Sequence, residues 1–146
     1  MIAIGNDHAA VELKNEIVEY FKEKGIEYKD FGCGEGEKCD YPNAAEVVCK
    51  AVVNGEAEKA ILICGTGVGI SIAANKVKGI RAACCSDYFS AKYTRLHNDA
   101  NVLCFGARVV GAGLAKELVD VFLNTEFEGG RHARRVDLIR QMEENF

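Results

Sequence analysis

The chain has 146 residues, of which 49% are hydrophobic and 27% are charged, with a formal net charge of −4 and an isoelectric point near 5.4. This length predicts one domain over residues 1–146, and the hydrophobic fraction is enough for a core. The acidic balance argues against a general nucleic-acid binder, although a local basic cluster could still hold a small anion.

The N-terminal stretch and the cysteines predict the environment of the protein. MIAIGNDHAA lacks a basic region followed by a long apolar segment, so no signal peptide is expected. No run approaches about 18 apolar residues, so we expect no membrane span and a cytoplasmic location. Seven cysteines lie at 33, 39, 49, 64, 84, 85 and 104, without a CxxC pair. Their odd number and spacing favour mostly buried, reduced thiols over a disulfide scaffold or a zinc site.

Short apolar runs alternate with amphipathic segments in the first part of the chain. Residues 2–4 form an apolar run that predicts the first strand. A helical repeat of apolar residues begins near Val11 and ends at Gly25, a favourable residue just past a helix, and 26–31 predicts the second strand. The polar segment 32–42 holds three glycines and the only proline, and an irregular segment of this length is often functional.

The alternation continues to the C-terminus. Further strands are predicted at 59–63, 81–85 and 102–105. Further helices are predicted at 43–53, 70–77, 87–96, 111–123 and 134–144, the third of them capped by Ser86 or Asp87.

Strands of this kind, short, nearly continuously apolar and separated by helices, are typical of a parallel sheet buried on both faces. The expected fold class is therefore α/β, a three-layer α/β/α Rossmann-like domain with a five-stranded parallel sheet. Ligands of such folds bind beyond the carboxyl ends of the strands. Chemistry is therefore sought in the loops after the first, third, fourth and fifth strands.

The segment after the third strand, 64–76, reads CGTGVGISIAANK. Its alternating glycines let successive backbone N–H groups turn inward, and the next helix adds the positive end of its dipole. Ile70 stands where a dinucleotide fingerprint needs glycine and where a cysteine phosphatase needs arginine, and the GK[ST] of a P-loop is absent. Cys64 is thus either a thiolate base beside an oxyanion-stabilising loop, with the Thr66 hydroxyl nearby, or a small apolar residue that ends the strand.

Two further segments carry candidate acid–base groups. Asp7 and His8 follow the first strand, where they could share proton transfer or hold hydroxyl groups, or where Asp7 could simply cap a helix. His97, with Asn98 beside it, could act as a general acid or base, or could be an ordinary surface histidine.

A basic segment near the C-terminus suggests a phosphate. Arg131 and Arg135 are four residues apart and would share one face of a helix, which suits bidentate binding of phosphate. Cations at the start of a helix are disfavoured by its dipole unless an anion joins them. A solvated basic surface is the alternative.

Together these segments resemble the sugar-phosphate isomerase family that contains the B-type ribose-5-phosphate isomerases and the allose- and galactose-6-phosphate isomerases. The resemblance covers nearly the whole chain, and its motifs are Asp7-His8, Asp40-Tyr41-Pro42, Cys64 to Lys76, Ser90-Ala91, His97 to Val102, Gly106 to Gly111, and Gly129 to His132 with Arg135. It implies an aldose–ketose isomerase of the pentose phosphate pathway, which interconverts D-ribose 5-phosphate and D-ribulose 5-phosphate through an enediolate without metal or cofactor.

The resemblance also implies roles for single residues. Cys64 would move the proton between C1 and C2, and His97 would assist ring opening as an acid, with Asp7 across the ring. The enediolate would be stabilised by Gly65, Thr66, Gly67, Val68 and Gly69. Phosphate would be bound by His8, Arg131 and Arg135. Sugar oxygens would be held by Asn98, Arg108 and Tyr41.

The assembly is likewise implied by the resemblance. It implies a homodimer, or a tetramer, with the active site at the subunit interface and the C-terminal arginines acting on the partner's site, and a strand order of 2-1-3-5-4. One branch of the family uses a carboxylate base within the loop, but no Asp or Glu occurs between 64 and 75 here, which leaves Cys64. No role follows for Asn6 or for segment 32–40 with Cys33 and Cys39.

Two other hypotheses stay open at this point. One is an isomerase of six-carbon sugar phosphates, although the presence of Cys64 with both arginines favours a self-sufficient homo-oligomer. The other is a non-enzymatic domain that senses a nucleotide or phosphate, which would leave Cys64 and His97 without a purpose.

Overall fold

Five parallel strands form one sheet in the computed structural model, which describes residues 1–146. The strands are β1 (Ile2–Asn6), β2 (Tyr28–Asp30), β3 (Lys59–Cys64), β4 (Ala82–Cys84) and β5 (Val102–Gly106). Their order in the sheet is β2-β1-β3-β5-β4, and every neighbouring pair is parallel. The predicted fold class and strand order are thereby confirmed.

Helices cover both faces of the sheet. They are α1 (Val11–Lys24), α2 (Tyr41–Val53), α3 (Val68–Ala74), α4 (Tyr88–Asn98), α5 (Ala112–Asn124) and α6 (Arg131–Asn145), with a short 3-10 turn at His8–Ala10 before α1. No helix combines the length and the apolar character that crossing a bilayer requires.

The core consists of two clusters, one on each face. Phe21 of α1 and Phe122 of α5 pack with Ile61 on one face, whereas Val48 of α2 packs with Leu62 on the other. Ile61 and Leu62 are neighbours in β3 and point to opposite faces, because side chains alternate along a strand. A strand buried on both sides must be apolar throughout, which explains the apolar run AILIC after the partly exposed Lys59.

Three helices begin two or three residues earlier than predicted. Helix α2 begins at Tyr41 and not at Asn43, because Pro42 fits the first turn, where its missing N–H is not needed. Helix α3 begins at Val68, directly after the left-handed Gly67. Helix α6 begins at Arg131, three residues earlier than predicted, so Arg131 itself lies in the first helical turn.

The loop between β2 and α2 is closed by a disulfide between Cys33 and Cys39, whose Cα atoms are 6.5 Å apart. The other five cysteines are free, and of these only Cys84 is exposed. The expectation of reduced thiols therefore holds for five cysteines and fails for Cys33 and Cys39. Their pairing depends on how the loop folds back on itself, which residue spacing alone does not reveal.

The loop after β3 passes directly against the end of β5, and two glycines permit this approach. Gly67 has φ +82°, and a Cβ added there would lie 2.6 Å from the Phe105 carbonyl carbon. A Cβ added at Gly106 would collide with the Thr66 carbonyl group. The backbone N–H of Ala107 also donates to the Cys64 carbonyl oxygen at 2.8 Å. Backbone contacts alone therefore fix the position of the loop.

Replacing Gly106 tests this close approach. We expect Gly106→Ala to lower the free energy of unfolding by about 1–3 kcal/mol, because the added methyl group must displace the Thr66 backbone. Gly113→Ala in α5 is the matched control, since nothing lies within 4 Å of an added Cβ there, and its stability should stay the same or rise slightly. Urea unfolding of both variants measures the difference, and equal stabilities would contradict this account of the loop.

Candidate active site

Cys64 ends β3 at the carboxyl edge of the sheet, at the start of the glycine loop. Its side chain is 4% exposed, and its Sγ accepts a hydrogen bond from the Gly67 N–H at 3.1 Å. The Thr66 hydroxyl accepts from the Val68 N–H, the first N–H of α3, at 3.2 Å. The Gly67 N–H thus places a donor beside the thiol, and the left-handed conformation of Gly67 lets the chain turn directly into α3.

Tyr41 and Arg108 lie over the two outer glycines of the loop. A Cβ added at Gly69 would lie 2.8 Å from the Tyr41 ring, and one added at Gly65 would lie 3.4 Å from the Arg108 guanidinium. The backbone N–H of Arg108 also donates to the Gly65 carbonyl oxygen at 3.0 Å. The glycines predicted to surround an anion thus also make room for a phenol and for a cationic guanidinium.

Asp7 and His8 reach the same edge from β1, the strand beside β3. The Asp7 N–H donates to the Ile63 carbonyl oxygen at 3.1 Å, which fixes Asp7 beside the end of β3. Asp7 is buried, and its Oδ1 caps the 3-10 turn by accepting from the Ala9 N–H at 2.9 Å. His8 is exposed, with Nδ1 2.9 Å from the Cys39 carbonyl oxygen. Since a carbonyl only accepts, Nδ1 is the protonated nitrogen, and Nε2 remains available to a ligand.

His97 and Asn98 lie at the opposite, amino edge of the sheet. Helix α4 starts after β4 and runs back for 11 residues, about 16 Å, toward the start of β5. At its end Arg81, which directly precedes β4, donates from Nε to the Asn98 carbonyl oxygen at 3.2 Å. His97 and Cys64 therefore belong to two separate groups within one chain.

A second histidine joins His97 at the amino edge. The rings of His97 and His132 stack with centroids 4.0 Å apart and an interplanar angle of 9°, and the Tyr93 ring meets His97 edge-on at 5.0 Å. Glu128 Oε2 lies 3.4 Å from His132 Nε2 and 3.8 Å from His97 Nε2. Burial, followed by the charges of His97 and Arg131, lowers the pKa of His132 below its usual 6.5.

This cluster has the composition of a metal site but not the geometry. The ligand atoms of His97, Glu128 and His132 all lie within 4.8 Å of one another. A shared ion would have to lie close to the planes of both imidazole rings, because a metal binds the nitrogen lone pair in the ring plane. Parallel rings 4.0 Å apart offer no such position. The arrangement instead suits two histidines that share protons with one carboxylate.

Two of the three candidate phosphate ligands lie on the same helix as His132, which stacks on His97. Arg131 and Arg135 lie in the first turns of α6, are both exposed, and take part in no ion pair or side-chain hydrogen bond within the chain. Their guanidinium groups are thus free to bind an anion. His132 belongs to one of the motifs but had no predicted role, and Glu128 was not predicted at all, because its only signal in the sequence is its position just before Gly129 and Gly130.

Comparisons with known proteins give a consistent result. The family model described as Ribose/Galactose Isomerase matches residues 2–139. Ribose-5-phosphate isomerase B of Escherichia coli is 54% identical over 143 residues, which are 98% of this chain and 96% of that protein. D-erythrulose-4-phosphate isomerase of Pectobacterium atrosepticum is 47% identical over 139 residues, 94% of this chain and 91% of that protein. The solved structure of Clostridium thermocellum ribose-5-phosphate isomerase B matches with a TM-score of 0.96 at 51% identity, covering 99% of this chain and 97% of that one.

The lowered pKa of His132 predicts a pH-dependent loss of stability. Below pH 6.5 the unfolded chain protonates this histidine while the folded protein keeps it neutral, so acid favours the unfolded state. We expect His132→Asn to lose less stability than the wild type between about pH 7.5 and about pH 5.5. Urea unfolding across that range measures it, with the same substitution at the exposed His8 as control. Parallel pH dependence of the wild type and His132→Asn would contradict the prediction.

Proposed function

The chain belongs to the ribose/galactose isomerase family and is a sugar-phosphate isomerase; from this premise we propose that it interconverts D-ribose 5-phosphate and D-ribulose 5-phosphate. The observation that carries the proposal is the thiol of Cys64 at the carboxyl edge, with the Gly67 N–H donating to its sulfur. Proton transfer at carbon needs such a base next to hydrogen-bond donors that can stabilise an oxyanion.

Cys64 acts as the carbon base in this proposal. Its thiolate takes the proton from C2 of the open-chain aldose, and the electron pair of that bond forms the enediolate. The thiol returns a proton to C1, the hydroxyl proton on O2 passes to O1, and the C2 oxygen becomes the ketone. While the enediolate is bound, the proton on the thiol exchanges with solvent, so the C2 hydrogen is replaced by deuterium in D₂O. Backbone N–H groups of residues 65–69 and the guanidinium of Arg108, which lies beside Gly65, support the negative charge on the enediolate.

Sugar binding is assigned to the side chains that surround the loop. Tyr41 lies on Gly69 and presents a phenol to the sugar oxygens, while Thr66 lies at the start of α3. Asp7 accepts a proton from a sugar hydroxyl during ring opening, and His8, with both ring nitrogens protonated, donates from Nε2 to the phosphate. Both residues follow β1, which borders β3 on the side opposite to β5, so they approach Cys64 from that side.

The complete site is formed by two copies of the chain in this proposal. His97 would donate a proton to the ring oxygen, Asn98 would hold a sugar hydroxyl, and Arg131 with Arg135 would bind the phosphate. All four lie at the amino edge, about the length of α4 away from Cys64 in the same chain. A second copy related by a twofold axis brings one amino edge to the other carboxyl edge and forms two equivalent sites.

Exposed apolar residues support such an assembly. Helix α6 presents Leu138, Ile139 and Met142 with 46% to 61% of their surface exposed, and Phe146, directly after the helix, is fully exposed. Apolar groups clustered on one helix next to functional arginines are typical of a surface that another chain covers. A homodimer is the smallest assembly in which each copy completes the site of the other, and a tetramer would contain the same pair of copies.

A four-carbon substrate is the second candidate. The relative from Pectobacterium atrosepticum, 47% identical, is named for D-erythrulose 4-phosphate. A shorter sugar would still place its phosphate and its reacting carbons at two ends, so the same residues could serve. Turnover of ribose 5-phosphate, D-erythrulose 4-phosphate and a six-carbon phosphate under identical conditions separates these substrates, and a clear preference for either of the latter two would overturn the five-carbon assignment.

Removing the thiol tests the carbon base. Cys64→Ser should slow exchange of the C2 hydrogen of ribose 5-phosphate with D₂O by about 10²- to 10⁴-fold, because the hydroxyl is a much poorer base at neutral pH. Cys84→Ser, at an exposed cysteine that ends β4, is the matched control and should keep the wild-type rate. NMR of the substrate measures the exchange. Full exchange by Cys64→Ser would rule out Cys64 as the base.

Mixing two inactive variants tests the shared site. Cys64→Ala and His97→Asn each inactivate both sites of their own dimer, but a mixed dimer contains one site with both changes and one intact site. After unfolding and refolding an equal mixture, we expect about a quarter of the wild-type activity, since half of the dimers are mixed and each has one working site. Assays of the separate variants serve as controls. An inactive mixture that has exchanged subunits would contradict the arrangement.

A further inference from the structure

The disulfide between Cys33 and Cys39 lies in the one loop that the proposed mechanism leaves without a function. It closes residues 33–39 between β2 and α2. Residues 35–38 are exposed, and the only hydrogen bond between two residues of the closed loop runs from the Glu37 N–H to the Gly34 carbonyl oxygen at 3.3 Å. The disulfide is therefore the principal restraint on the shape of this loop.

One end of the disulfide is connected to the candidate phosphate ligand His8. The Cys39 carbonyl oxygen accepts from the His8 backbone N–H at 3.4 Å and lies 2.9 Å from His8 Nδ1. This single carbonyl therefore fixes the backbone, the ring orientation and the protonated nitrogen of His8. Cys39 is also followed directly by Asp40 and Tyr41, where α2 begins.

The other end is connected to the residue before Asp7. Asn6 is fully buried at the end of β1, and its Nδ2 donates to the Cys33 carbonyl oxygen at 3.3 Å and to the Asp7 carbonyl oxygen at 2.8 Å. Both half-cystines thus contact the segment that carries Asp7 and His8. A change in the conformation of the loop is therefore transmitted to Asp7 through the Asn6–Cys33 bond and to His8 through the Cys39 carbonyl.

Access to the two sulfur atoms differs. Cys33 is 6% exposed, whereas Cys39 is half-buried and stands next to exposed loop residues. A small thiol can therefore approach Cys39 while Cys33 is shielded, which makes Cys39 the point of attack in thiol–disulfide exchange.

We propose that Cys33 and Cys39 form a thiol–disulfide exchange site for low-molecular-weight thiols, and that the disulfide holds His8 in its phosphate-binding position. The inference rests on the proposed function for its activity readout. The bonded form presents His8 ready for the phosphate. The dithiol form lets the Cys39 carbonyl leave His8, so the fraction of molecules competent to bind substrate falls.

The exchange itself is chemically balanced. The thiolate of one small thiol attacks the Cys39 sulfur, and the bond to Cys33 breaks with its electron pair on the Cys33 sulfur, which takes up the proton that the small thiol lost. A second small thiol then releases Cys39 as a thiol. Two small thiols are oxidised to one small disulfide, and the protein disulfide is reduced to two thiols.

The test compares the wild type with the double variant Cys33→Ser/Cys39→Ser in buffers of reduced and oxidised glutathione. In the wild type we expect reduction to raise KM for ribose 5-phosphate by about two- to tenfold, the effect of losing one or two hydrogen bonds, with kcat nearly unchanged. The double variant should show the higher KM in both buffers. Alkylation of free thiols followed by mass spectrometry should count five in oxidised wild type and seven after reduction.

Oxidation of Cys64 would also make the activity depend on the glutathione buffer, and the double variant distinguishes this effect from that of the disulfide. It would lower kcat, and it would do so equally in the double variant, which retains Cys64. A wild-type KM that is the same in both buffers, an equal response in the double variant, or seven reactive thiols in oxidising buffer would each overturn the proposal.

Failure of the proposed function gives a different result. If neither protein isomerises any sugar phosphate, calorimetric titration with inorganic phosphate replaces the assay, with wild type in both buffers. Tighter phosphate binding by the oxidised form alone supports the exchange site without isomerase activity. Equal binding in both forms, or no binding in either, overturns it.

Discussion

The contact between the backbone of residues 64–67 and the end of β5 is the constraint on which the rest of the site depends. Gly67 and Gly106 leave no space for a Cβ between the two segments. Held in this way, the loop directs the Gly67 N–H at the Cys64 sulfur and fixes Gly65 under Arg108. The position of the thiol is thus determined by backbone sterics, which do not depend on the rotamer of any flexible side chain.

The direction of the chain through the sheet imposes a second constraint. In a parallel sheet every helix must return from the carboxyl edge to the amino edge, so the two ends of a helix lie at opposite edges. Asp87 caps α4 at the carboxyl edge, while His97 lies in its last turn at the amino edge. A single copy therefore keeps Cys64 and its stacked histidine pair apart. The proposed two-copy site would bring them together, and the exposed apolar residues of α6 are consistent with that proposal.

The sequence predicts local features well and long-range ones poorly. The alternation of strands and helices, the end of α1 at Gly25 and the loop at Cys64 all depend on neighbouring residues, and the structure agrees with each. The stacking of His97 on His132 joins residues 35 positions apart through the packing of α6 on α4, so no local pattern encodes it. The Cys33–Cys39 pairing is close in sequence, yet it depends on a loop without regular structure, whose path no periodicity describes.

Asn6 links the carboxyl edge of the sheet, where Asp7 and His8 lie, to the Cys33–Cys39 loop, at a cost in stability. Its Nδ2 bonds the carbonyl groups of Asp7 and Cys33, but its Oδ1 is buried without a hydrogen-bond partner. An orphaned acceptor of this kind costs about 1–3 kcal/mol. Gly32 packs directly against this oxygen, and a Cβ at position 32 would collide with it. The position of Asn6 therefore requires a glycine at residue 32 in addition to an unsatisfied acceptor. A purely apolar residue would avoid the penalty but would bond neither carbonyl. The amide is therefore best understood as the connection that keeps the Cys33–Cys39 loop in register with Asp7 and His8.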